Sequence, residues 1–103
     1  MDAETRYGDV VEGLLARYGD AERTQMMGMP SVKRNGKLVA GFSRDEGAMV
    51  FKLTESAARE RALALPGAHL FEPMKGRAMK EWVVVPEAQA KHWGALAETA
   101  VGD

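Results

Sequence analysis

Apolar residues recur at helical spacing near the start of the chain. Tyr7, Val10, Val11, Leu14, Leu15 and Tyr18 fall on one face of a 3.6-residue period, which predicts an amphipathic helix over 5–18. Asp2 or Thr5 can cap it, since a short side-chain oxygen accepts the free amide hydrogens of a first turn. Gly19-Asp20 supplies the stop.

The pattern then shifts toward alternation. Residues 24–29 hold a methionine cluster, and Pro30, which has no amide hydrogen, is expected to end or kink any strand there. Residues 31–34 and 37–43 flank Asn35-Gly36, a pair that tolerates positive φ at both turn positions and so marks a hairpin. Leu38, Ala40 and Phe42 are expected on one face of the second strand. After a turn over 44–47, residues 48–53 alternate, with Met49, Phe51 and Leu53 opposite Val50 and Lys52. Thr54 is the expected N-cap of a second helix, about 55–65, whose small face (Ala57, Ala58, Arg61, Ala62, Leu65) can sit close to the sheet; Pro66-Gly67 ends it. A short strand over 69–72, a connector over 73–77 and a strand over 79–85 follow. In the last strand Trp82 and Val84 lie opposite Val83 and Val85. Pro86-Glu87 opens a third helix, about 87–100, with a stripe of Ala90, Trp93, Ala97 and Ala100 flanked by Leu96; Val101, Gly102 and Asp103 read as a frayed end.

The resulting order is α-β-β-β-α-β-β-α. Local connections between strands predict a two-layer α+β fold, a mainly antiparallel sheet with helices on one face. The other face, or an edge strand, is expected to be free to pair, and partly polar from Lys52 and Lys80. A length of 103 residues suits a single domain spanning 1–103. The 46% hydrophobic content can form one core, and 28% charged residues is too ordinary a share to suggest disorder.

The absence of cysteine removes disulfides, thiolate nucleophiles and zinc–thiolate sites. The acidic, polar opening does not read as a secretory signal, and no apolar run approaches the roughly 20 residues of a spanning helix, so the expected setting is cytoplasmic, without membrane contact. Net charge is −1 but uneven. Residues 1–20 and 87–103 are acidic; between them eleven basic residues face seven acidic ones. That middle is either a polyanion-facing surface or a solvated sheet face.

Several stretches together resemble the TfoX N-terminal domain family. They are Met27-Gly28-Met29-Pro30, the hairpin around Asn35-Gly36-Lys37-Leu38-Val39-Ala40, the strand ending Phe51-Lys52-Leu53, and the run from Phe71-Glu72-Pro73-Met74-Lys75-Gly76-Arg77 through Trp82 to Val85-Pro86. The resemblance covers roughly residues 7–100. It implies a two-layer α+β fold of the secretion-chaperone-like kind. It also implies a link to competence regulation for members that carry a further C-terminal domain, which is not expected in this chain. It carries no catalytic motif onto these residues.

The residues themselves indicate no enzyme. His69 and His92 are the only imidazoles, and neither has a second histidine at ligand spacing, so structural roles are expected and no metal or other cofactor is implied. Ser31, Ser43 and Ser56 lie in no recognised nucleophile context, and no phosphate-cradling glycine pattern occurs. Lys33, Arg34 and Lys37 cluster at the first hairpin, and Lys75, Arg77 and Lys80 around the later turn. If the two turns converge they form a patch for phosphates or an acidic partner; otherwise they are solvated turn charges. Met26, Met27, Met29, Met49, Met74 and Met79 either fill core gaps or line an adaptable surface, with Met74 the expected exposed one. The leading expectation is a non-enzymatic module that binds a protein partner or itself. The alternatives are a weak nucleic-acid-associated regulator, and an enzyme or small-ligand binder with an unrecognised site.

Overall fold

The computed structural model describes residues 2–102. Helix α1 (Ala3–Arg17) leads into strands β1 (Ala21–Met26), β2 (Met29–Arg34), β3 (Lys37–Ser43) and β4 (Ala48–Lys52). Helix α2 (Ser56–Leu63), strands β5 (His69–Met74) and β6 (Arg77–Pro86), a 3-10 turn over Glu87–His92 and helix α3 (Trp93–Gly102) complete the chain. The six strands form one antiparallel sheet in the order β1-β2-β3-β4-β6-β5, an α+β fold. No described helix is long and apolar enough to cross a membrane.

Strand β1 goes beyond the sequence expectation. It pairs with β2 through a two-residue turn, Met27-Gly28, closed by Met26 opposite Met29. Pro30 does not break β2. In such a hairpin the closing pair exchanges both hydrogen bonds, so the next pair, Gln25 with Pro30, points its backbone groups away from β1. On that side β3 pairing begins only at Ser31, so the missing amide hydrogen leaves no gap in the ladder. Met27 and Gly28 have φ of 50° and 78°, and Asn35 and Gly36 of 53° and 76°; positive φ at both positions is the mark of a type I′ turn.

One face of the sheet carries Val32, Phe42, Met49, Phe51, Leu53, Val83 and Val85, packed under Tyr7, Val11 and Leu14 of α1, Ala62 of α2, and Trp93, Ala97, Ala100 and Val101 of α3. The alternations expected in β4 and β6 are therefore seen. The one expected in β3 is not, because Val32 opposes Ala40 while Lys33 opposes Leu38, leaving Val39 as an extra residue. This bulge puts both Val39 and Ala40 in the helix-side core and turns Leu38 to the opposite face.

That opposite face is not open. Met26, Ala48, Val50, Phe71, Trp82 and Val84 form a second buried cluster, joined by Met29, Leu38 and Met79. The register of β5 on β6 jumps from Leu70–Val83 to Phe71–Met79, so three residues of β6 intervene there, and residues 71–79 form a bent hairpin arm. Pro73 is tolerated because β5 is an edge strand.

Caps and ends differ in detail from the sequence expectations. Asp2 caps α1, its carboxylate accepting from the Thr5 amide at 2.8 Å. Glu55, not Thr54, occupies the N-cap position of α2. The third helix starts as a 3-10 turn with non-helical backbone at Gln89. Val101 is buried rather than frayed, and Asp103 lies outside the described residues. Trp93 anchors α3 to β6, its indole donating to the Val85 carbonyl at 3.1 Å.

Candidate functional site

The bent arm and the Met27-Gly28 turn meet at a groove of about 650 Å³. In a flat sheet β2 and β5 would lie four strand spacings apart, roughly 19 Å. Here Met29 and Pro30 line the same groove as Phe71 and Met74, so side chains from both ends reach into the space between them. Phe42, from the helix-side core, and Phe71, from the opposite cluster, both reach it, and both are buried. The turn after β3, Arg44 to Glu46, closes a third side.

The groove is flanked by the two exposed large apolar side chains of the described residues, Met27 at 61% and Met74 at 65%. Exposure of Met74 agrees with the sequence expectation; nothing in the sequence sets Met27 apart in the same way. Met26 and Met49 are buried core, and Met29 and Met79 are half-buried. Met27 is also strained. A non-glycine residue at φ 50° is disfavoured by roughly 1 kcal/mol or more, less for asparagine. The equivalent turn position in the next hairpin is Asn35. A methionine there trades local backbone preference for a thioether at the mouth of the groove.

The rim is acidic. Arg44 is engaged by Glu4 of α1 through two hydrogen bonds, 3.0 and 2.8 Å, which raise its pKa, and this leaves Asp45, Glu46 and Glu72 as anions around the groove. Glu46 accepts from or pairs with His69 Nε2 at 2.8 Å, and Glu72 accepts from the Gly76 amide at 3.3 Å. The opposite imidazole nitrogen, Nδ1, lies 2.9 Å from the Leu70 carbonyl. That backbone contact leads the causes that raise the His69 pKa; burial opposes it, and Glu46 adds to it.

The six basic candidates fall into two groups. Lys33 and Arg34 have acidic partners across the β1–β2 hairpin and at the end of α1, Glu22 at 3.5 Å and Asp20 at 2.9 Å, and Arg34 stacks over the Tyr18 ring. Lys37 is exposed beside them. Lys75 and Arg77 sit exposed on the arm and Lys80 directly after it, and no ion pair joins them to an acidic side chain among the described residues. Met74, next to Lys75, faces the Met27 end of β2, whereas Lys33 and Arg34 lie at its other end, about 16 Å along the strand.

Of the serines, Ser31 is 1% exposed and donates to the Met29 carbonyl at 3.0 Å, while Ser43 accepts from the Glu46 amide at 3.4 Å; both shape the groove's backbone. Ser56 opens α2. No group of three or more histidine or acidic side chains is placed to hold a metal among the described residues. The Met27-Gly28 turn had one sequence signal, a glycine two residues before Pro30.

No family model matches the chain, and neither a curated protein nor a solved structure matches it.

Proposed function

We propose that this chain is a non-enzymatic interaction module that binds a segment of a protein partner in the groove between Met27 and Met74. The observation that carries the reading is Met27 itself, a strained and exposed methionine where the backbone favours asparagine or glycine. Flexible, polarizable thioethers adapt to varied apolar side chains. Apolar lining from Met29, Pro30 and Phe71 supplies a place for one anchor residue, and the carboxylates of Asp45, Glu46 and Glu72 favour lysine or arginine beside it. The occupant is therefore an apolar segment flanked by cations. Membership of the TfoX N-terminal domain family and a cytoplasmic setting belong to the same proposal; the family resemblance rests on the sequence stretches named above.

The test is selection from a random dodecapeptide phage library on the wild-type chain, with Met27→Asn as counter-screen. Enrichment of apolar–basic sequences that fail on the variant supports the reading. No enrichment, or enrichment indifferent to Met27, rejects it. The exposed Lys75, Arg77 and Lys80 favour one second reading, weak contact with a polyanion. It predicts affinity for an oligonucleotide that falls steeply with salt, with a smaller slope after Lys75→Ala plus Arg77→Ala.

A further inference from the structure

We propose that a second copy of this chain supplies the occupant, each copy laying the tip of its arm in the other's groove. This rests on the groove reading above and names the partner. The arm tip has the composition the groove favours: Met74 is 65% exposed, and Lys75 and Arg77 beside it are exposed cations. The facing rim carries Asp45 and Glu46. Both halves of the match are on one chain, so a two-fold arrangement satisfies both contacts at once. Intramolecular pairing leaves most of these charges free: the arm cations have no acidic partner among the described residues, and Asp45 has none either, while Glu46 is shared with His69.

The folded chain exposes 5830 Å², and a standard interface takes roughly a tenth of a small protein's surface, about 580 Å² per copy here. That is near the lower limit for a specific complex, so the dimer is reversible, and its charge matching makes it weaken as salt rises.

Sedimentation velocity across a concentration series at low and high salt tests this with two variants. One carries Lys75→Glu and Arg77→Glu, leaving arm and groove both acidic. The other carries Asp45→Lys and Glu46→Lys, leaving both basic. Wild type is expected to shift from monomer to dimer with concentration, and each variant alone to weaken that association tenfold or more. An equimolar mixture of the two variants is expected to regain a dimer, a recovery that misfolded chains cannot give. Wild type that stays monomeric, a dimer unaffected by the variants, or a mixture that stays monomeric overturns the proposal. Peptide selection on the groove is read separately, so a monomeric chain that still enriches apolar–basic peptides overturns the second copy as occupant while leaving the groove standing.

Discussion

Replacing Met27 by asparagine should stabilise the fold and weaken binding at the same time. The residue holds φ at 50°, a region that costs most side chains about 1–2 kcal/mol and asparagine less. Against that relief stands the apolar packing of the methionine side chain. Met27 is 61% exposed, so about two-fifths of a side chain worth roughly 2 kcal/mol when fully buried is covered, and asparagine keeps part of that cover. The balance is a gain of about 0.5 kcal/mol, which for a domain of this size raises Tm by roughly 2–4 °C. Urea denaturation gives the same quantity as a shift in midpoint at constant slope. The variant should nonetheless bind a selected peptide about tenfold more weakly, since an exposed thioether at the groove mouth is removed. A variant less stable than wild type by about 0.5 kcal/mol would refute the strain argument. A stabilised variant that binds unchanged would refute the assignment of the site.

Three further outcomes follow from the packing. An added Cβ at Gly41 would lie 2.9 Å from the Ser31 hydroxyl oxygen and 3.2 Å from the Pro30 carbonyl, so Gly41→Ala should cost about 2–4 kcal/mol; Ser31→Ala in the same chain should recover at least about 1 kcal/mol of this, and additive losses in a double-mutant cycle would contradict the contact. Trp93→Phe should cost about 2–3 kcal/mol by denaturation, since it leaves the Val85 carbonyl without its buried indole donor; a loss below about 0.5 kcal/mol would contradict that bond. His69 should titrate above its ordinary 6.5 in an NMR pH series, chiefly through the Leu70 carbonyl; its protonated form is favoured in the folded state, so its stabilisation is present below pH 6.5 and fades as pH rises through the folded value, and a His69 titration at or below 6.5 would contradict the geometry.

The parts of the fold carried by local chemistry were legible in the sequence. Asn35-Gly36 names its own turn, the alternation over 48–53 and 82–85 names two faces, and the periodicity over 7–18 names a helix. The parts that depend on partners across the sheet were not. Pro30 looks like a breaker until its register shows that its nitrogen faces away from β1, on the side where pairing with β3 starts only at Ser31, and that one misreading hides β1. The bulge at Val39 is set by how β2 and β3 align, so nothing within β3 signals that Leu38 turns away from Ala40. The bend in β6 likewise arises from a register jump, and without it the far face reads as open and partly polar. The basic residues were visible as two clusters, but their fates differ for reasons of pairing: Glu22 and Asp20 take up Lys33 and Arg34, while Lys75, Arg77 and Lys80 are left to solvent. The groove itself joins turns distant in sequence, and Met27 becomes informative only once its φ is known.

The central claim is that a partner segment binds between Met27 and Met74, and methyl-labelled methionine resonances test it most directly. The chain has seven methionines, and they report on separate places: Met27 and Met74 at the groove mouth, and Met49 deep under the helices. On titration with a selected apolar–basic peptide, the Met27 and Met74 methyl signals should move together with one saturation curve while Met49 stays in place. Binding that leaves both groove methyls unmoved would contradict the account.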